Sequence, residues 1–347
     1  MVTVIGLDVG HSAVKMVVRG TNPFRTCFPS LVCSAIEIPG DTRAEQTAQD
    51  TVTVGEASFF VGETAYFQRD RHNSGSEMGL HAEWVSTVQY EALVRGALKK
   101  AELAGNDLSQ VIIINGLPQA NLANTKNNLD ALIKRVAPQA TFKTLSQPMG
   151  AFYTEMLDEN GDPIRGDEAL EECWVLIDIG YYTSDLVLMD KGRRIEKASG
   201  SSNGVSRIIA DSVRLIAQDK DKIFDVDTPI EISPQRMMEA IEKSKGPIVV
   251  KNHGILRDVT HYVQAAISSW LLNFFDTAKT KVQPYIAEVD GIIVSGGGAP
   301  LLFDGISSMW PRSHIMADSR FSIAEGFARF GMLVADSMAS SDDEAGS

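Results

Sequence analysis

The chain has 347 residues, 44% of them hydrophobic and 22% charged, which exceeds one typical core and suits two globular domains. Its formal net charge of −13 argues against direct wrapping of nucleic acid, because phosphate contacts need a basic surface. No apolar run approaches the roughly 18 to 20 residues of a membrane span.

The first predicted element is a β-hairpin whose turn is Asp8-Val9-Gly10-His11-Ser12-Ala13, with Lys15 one strand residue beyond it. No basic flank or cleavage site precedes it, so no signal peptide is expected. From Phe24 to Glu83 the chain is turn-rich, with short strands at Thr51 to Val54 and Phe59 to Gly62. This reads as an insertion over about 24–87 that forms a small outer subdomain. A helix follows over Val88 to Glu102, with Tyr90, Val94, Ala97 and Ala101 on one stripe. Val111 to Pro118 reads as a buried strand, and the acidic, turn-rich Asp158 to Glu172 as a crossing between halves. A second hairpin carries Asp178-Ile179-Gly180-Tyr181-Tyr182-Thr183-Ser184-Asp185 at its turn. Gly200-Ser201-Ser202-Asn203-Gly204 matches G-x-S-x-G but lacks the buried strand of a nucleophile elbow, so a plain loop is expected. Val205, Ile208, Ile209, Ser212, Val213 and Ile216 then follow helical spacing, Asp219 to Gly254 forms a second insertion, and Val259 to Val282 a long amphipathic helix. Gly291 to Ser295 is a buried strand running into Gly296, Gly297 and Gly298, with a helix after Pro300. Ala339 to Ser347 reads as a disordered tail.

The two hairpins are copies of one pattern, 170 positions apart: Leu7 faces Ile177, Asp8 faces Asp178, Gly10 faces Gly180, and Met16 to Val18 face Leu186 to Leu188. One hairpin alone is ordinary Asp-Gly turn chemistry. Two in the same register imply duplicated domains around a shared ligand. Gly10 and Gly180 permit positive φ and close backbone approach, so N–H groups can converge on an anion, and Ser12, Thr183 and Ser184 add hydroxyl donors. Such a pair of turns clamps phosphates. Aspartates beside phosphates need a cation between them, and Mg²⁺ keeps several waters, which suits Asp8 and Asp178 as holders of the hydrated metal. Lys15 supplies a point charge. There is no G-x-x-x-x-G-K-[ST]. The three cysteines, Cys27, Cys33 and Cys173, and the six histidines lack metal-ligand spacing, which excludes a zinc site and suits a reducing cytoplasm.

With these elements in order, the chain resembles the actin-like ATPase superfamily, which includes actin, the DnaK-type chaperones and the sugar kinases. The hairpin with Lys15 and the segment Gln147-Pro148-Met149-Gly150-Ala151 look most like the prokaryotic actins of the ParM and archaeal-actin kind. The resemblance implies an α/β fold of duplicated, ribonuclease H-like domains with a nucleotide cleft between them. Domain I would span 1–157 and 320–338, and domain II 172–319. The hairpin turns become the two phosphate elements, and Gly296, Gly297 and Gly298 the adenosine element. Gln147 to Ala151 and Ile323 to Ala328 become the connecting helices. ATP or ADP with Mg²⁺ is the implied ligand. Gln147 stands where the family positions the attacking water, assisted by Asp178, while Asp185 braces the second hairpin and Gly204 approaches the nucleotide. Ala13 and Tyr181 to Ser184 complete the phosphate turns. His11, where smaller residues are usual, either bonds a phosphate oxygen through its ring or contributes only its backbone.

Three functions follow from the resemblance: a filament-forming ATPase of plasmid segregation that binds its own copies, a small-molecule kinase, or a non-polymerising ATP-dependent switch. The first is favoured. The kinases need a substrate pocket and the chaperones a further domain, for which about 20 residues after the second connecting helix leave no room. DNA would then be reached through an adaptor protein. The choice between ATP and GTP stays open.

Overall fold

The computed structural model describes residues 2–69, 84–118, 122–166, 168, 171–219, 232–252 and 254–345. Strands β1 (Thr3–Val9) and β2 (Ala13–Arg19) form the first hairpin, with Asp8 directly opposite Lys15. Beside β2 lies β3 (Phe24–Pro29), antiparallel to it. These residues were expected inside the outer insertion. Their half-exposed alternation is that of a sheet edge, and they complete the main sheet instead. The outer part is a smaller sheet of β4 (Val32–Ser34), β5 (Thr51–Val54) and β6 (Ala57–Val61), in the order β4-β6-β5. Strands β7 (Val111–Leu117) and β8 (Thr141–Ser146) run parallel to β1, giving β3-β2-β1-β7-β8.

The second half repeats this plan. Strands β9 (Cys173–Ile179) and β10 (Thr183–Asp190) form its hairpin, with Asp178 opposite Asp185. At the edge beyond β10 lie β11 (Arg193–Arg194) and β12 (Gly200–Asn203). The G-x-S-x-G stretch is therefore a strand, held to β10, where a loop was expected. An outer hairpin of β13 (Val249–Asn252) and β14 (Ile255–Asp258) follows the helix Pro234–Lys243. Strands β15 (Gly291–Ser295) and β16 (Ser313–Ile315) extend the sheet in parallel from β9.

Strands β1, β7, β9 and β15 are buried along their whole length, as their unbroken apolar runs require of strands covered on both faces. On its outer face the first sheet packs Ile5, Leu7 and Val14 against Tyr90, Leu93 and Ala97 of the helix Val88–Leu103. The second packs Val175, Ile177 and Leu186 against Ile208, Val263 and Phe274. The inner faces meet the two connecting helices. Leu176, Val187 and Ile293 pack on Ala151, Phe152 and Met156 of the helix Gln147–Met156, and Val4, Ile112 and Ile114 on Ile323, Phe327 and Phe330 of the helix Ser322–Ala345. These helices cross at Gly150 and Gly326. A Cβ on Gly326 would lie 1.7 Å from the Gly150 carbonyl oxygen.

The last helix reaches Ala345, where a disordered tail was expected from Ala339. No glycine or proline interrupts Ala339 to Ala345, so nothing in the sequence stops the helix before Gly346; Gly346 and Ser347 lie outside the described residues. Among the described residues no helix is long and apolar enough to cross a membrane.

Candidate functional site

Both hairpin turns and the β15 glycines open onto one cavity of about 420 Å³ between the halves. It brings together Asp8, Gly10, His11, Ser12 and Lys15 from the first copy, Asp178, Gly180, Tyr181, Tyr182 and Thr183 from the second, and Gln147, Gly296, Gly297 and Gly298. A larger groove of about 740 Å³ lies between β12 and the helix Thr260–Val282. Its Arg207 and Asp211 are already paired at 2.8 Å, and Asp276 is the other charged residue that lines it.

The first copy is electrostatically satisfied. Lys15 Nζ lies 3.0 Å from Asp8 Oδ2, and Gln147 Nε2 donates to Asp8 Oδ1 at 2.7 Å. Asp8 is 2% exposed and Gln147 8%. The Gly10 amide closes its own turn on the Ala13 carbonyl at 3.2 Å, and the Ser30 hydroxyl donates to the Gly10 carbonyl. The expected positive φ is absent at both turn glycines. Space is what demands glycine: a Cβ would come within 3.0 Å of the Ala13 carbonyl at Gly10 and 2.9 Å of the Thr183 carbonyl at Gly180.

The second copy has the same geometry with the opposite charge at one position. Asp185 occupies the register place of Lys15, so Asp178 faces a carboxylate instead of an ammonium. Burial first, then Asp185 and Asp8, push the Asp178 carboxyl up to about 8, with Lys15 opposing them. Asp185 is itself buried and accepts the Ser201 hydroxyl from β12, which ties the hairpin to its edge strand.

His11 lies between the halves. Its ring stacks on Trp84 at 5.5 Å and meets the edge of Tyr182, from the other hairpin turn, at 5.0 Å. Burial lowers its pKa to about 4, so the imidazole is neutral near pH 7.

Three expected residues do not face the cavity. Ala13 is buried in β2, its backbone paired with Pro29. Strand alternation turns Ser184 away from the side that Thr183 presents, and its buried hydroxyl has no partner among the described residues. Gly204 sits behind the second turn, donating to the Tyr182 carbonyl at 2.7 Å; a Cβ there would strike the Gly180 carbonyl at 2.6 Å. It braces the turn and does not line the cavity. Gly296 does have a positive φ, +89°, and a Cβ on it would reach Asp178 Oδ1 at 2.5 Å.

The remaining wall carries no motif. Val205, Ile209, Met238, Ile241, Pro300 and Leu301 make an apolar face beside the three glycines, while Glu242, Ser244, Ser319 and Arg320 edge it. Met238 and Ile241 stand three apart on one helix, but such spacing is shared with any core-facing helix.

Among the described residues no three His, Cys, Asp or Glu side chains cluster to hold a metal directly. Two buried aspartates, one of them without a counter-cation, suit a hydrated ion that touches few carboxylates.

Residues 6–146 match the family of actin-like proteins, N-terminal domain. No curated protein matches the chain by sequence. Among solved structures, the actin-like protein Alp7A aligns over 99% of this chain and 100% of its own, at 16% identity and a TM-score of 0.71. The ParM of a 15-stranded filament from Clostridium botulinum covers 96% of this chain and 99% of its own, at 18% identity and a TM-score of 0.70. An archaeal actin homologue solved in complex with ADP covers 94% and 98%, at 18% identity and a TM-score of 0.63.

Proposed function

We propose that this chain, actin-like in its first domain and ParM-like in fold throughout, is a filament-forming ATPase whose nucleotide state sets the affinity between subunits. The observation that carries the reading is the pair of buried aspartates on duplicated hairpins, Asp8 balanced by Lys15 and Asp178 facing Asp185, at either side of one cavity with glycine turns. A bound Mg²⁺ would offset the charge that phosphates add between those two carboxylates.

The Gly10 and Gly180 amides are engaged in closing their turns. Phosphate oxygens therefore fall to the N–H groups that follow in each turn and to the Ser12 and Thr183 hydroxyls. Lys15 moves from Asp8 toward the phosphates. Gln147, fixed through its Nε2 on Asp8, keeps its amide oxygen as an acceptor for the attacking water, and a neutral amide orients that water without adding negative charge. The three glycines and the apolar wall hold ribose and base.

In the cell this activity would serve plasmid segregation or a related cytoskeletal task in the cytoplasm, with a DNA-binding adaptor between filament and cargo. The acidic charge of −13 supports an adaptor over direct DNA contact. Sedimentation with and without Mg-ATP and Mg-GTP tests the proposal. Polymer above a critical concentration in nucleotide, lost in Asp178→Ala, is expected. Monomers in every condition, together with phosphorylation of a small metabolite, would move the chain to the kinases.

A further inference from the structure

The two halves also touch outside the cavity. Tyr66, on the short helix Gly62–Gln68 behind β6, donates its hydroxyl to Glu239 Oε1 at 2.8 Å. Glu239 belongs to the helix Pro234–Lys243 of the second half. One turn on, Glu242 of the same helix accepts from Arg320 Nη2 at 3.2 Å, and Arg320 leads into the second connecting helix. Met238, Ile241 and Glu242 line the cavity. The helix that carries both acceptors is thus a wall of the cleft, tied back to the first half at two points.

The two ties differ in strength. Arg320 and Glu242 are about half exposed, at 45% and 46%, and an ion pair so placed contributes little. Glu239 is the less exposed acceptor, at 31%, and also accepts from Gln235 and Lys243, each at 3.4 Å and one helical turn away. A hydroxyl donating to an ionised carboxylate is a charge-assisted bond, the stronger kind. Together the two ties hold the wall helix, and with it Met238 and Ile241, against the first half.

On the reading of the cleft as a nucleotide site, we propose that the Tyr66–Glu239 bond is a clasp that governs the rate at which nucleotide leaves and enters. The clasp joins the outer parts of the two halves and touches neither the phosphate turns nor Gln147. Opening it changes exchange while leaving the phosphate contacts as they are.

Tyr66→Phe removes the hydroxyl and keeps the ring that packs edge-on against Phe67 at 5.1 Å and beneath Arg69 at 5.2 Å. Mant-ADP and mant-GDP, each with Mg²⁺, are bound to full-length protein at concentrations too low for assembly. Release is followed by stopped-flow fluorescence after a chase with unlabelled nucleotide. Losing one partly exposed charge-assisted bond is expected to speed release by about three- to tenfold. Glu239→Ala should give a similar rate, and the double variant no more than either single one, since both remove the same bond. Arg207→Gln, which breaks an exposed ion pair in the groove between β12 and the helix Thr260–Val282, should change release by less than about twofold. Release from Tyr66→Phe at the wild-type rate, or a double variant whose effects multiply, overturns the clasp while nucleotide binding stands. Failure of the wild type to bind either nucleotide overturns the cleft reading, and the clasp with it.

Discussion

The crossing of the two connecting helices at bare backbone gives the sharpest test of the packing. Gly326→Ala would set a methyl 1.7 Å from the Gly150 carbonyl oxygen, half of the 3.4 Å at which ordinary contact begins, and 2.8 Å from the Thr154 amide. The struck atoms are backbone, so no rotamer change relieves the clash and the helices must part. Each helix is packed against a sheet, through Ala151, Phe152 and Met156 on one side and Ile323, Phe327 and Phe330 on the other, so parting them loosens two cores. Overpacking costs about 1 to 3 kcal/mol in a typical core, and Ala gains up to about 1 kcal/mol over Gly in a helix interior. With backbone as the obstacle the upper end of the overpacking range applies, leaving a net destabilisation of about 2 kcal/mol. Urea unfolding followed by circular dichroism reads it as a lower midpoint at unchanged slope. Gly246→Ala, where no atom lies within 4 Å of the added methyl, is the control and should stay within about 0.5 kcal/mol. Equal midpoints for the two variants would refute the helix crossing.

The other expectations concern the cleft and one buried carboxylate. Mg-ATP or Mg-ADP at a hundredfold excess over Kd should stabilise the protein by about 2.7 kcal/mol, read as a rise in Tm, and Asp8→Ala should abolish most of that rise. Gln147→Ala should bind nucleotide yet turn over about 10² to 10³ times more slowly, with filaments that persist after wild type has disassembled; a wild-type rate of phosphate release would assign the water to another residue. Asp50, 1% exposed, accepts from Lys100 at 2.6 Å, Gln46 at 3.0 Å and the Thr64 hydroxyl at 2.9 Å. Burial raises its pKa, but these bonds outweigh it and the net shift is downward. A depressed folded-state pKa means that its stabilisation is present above the unfolded value near 3.8 and is lost as pH falls through the lower folded value. Asp50→Asn should therefore cost about 3 kcal/mol at pH 7, by leaving Lys100 unpaired, and the cost should shrink in acid unfolding titrations toward pH 2. A cost independent of pH would show that Asp50 is not ionised in the folded protein.

How far the sequence could be read depended on whether a residue's role was fixed by backbone or by surroundings. The pairing of the two turns was legible because a duplicated Asp-x-Gly in one register leaves few alternatives, and the structure brings Asp8, Gly10, Asp178 and Gly180 to one cavity. Thr183 and Ser184 look equivalent as hydroxyl donors, yet only one side of a strand faces the cleft, and the sequence does not say which. Gly204 was legible as a glycine needed for close approach, and the backbone it approaches is that of the second turn, at the Gly180 carbonyl. Phe24 to Pro29 lacks the unbroken apolar run of β1 or β7 because it lies at a sheet edge, and so it passed for part of the insertion. The apolar wall of Met238 and Ile241 was illegible for a deeper reason: an apolar cavity wall and a protein core ask the same thing of a helix. Lys15 and Asp185 illustrate the limit most sharply. Both identities were visible, at matching places in the duplicated hairpins. Only burial, which leaves Asp178 facing a second carboxylate where Asp8 faces an ammonium, turns that difference into a raised carboxyl pKa on one side of the cleft.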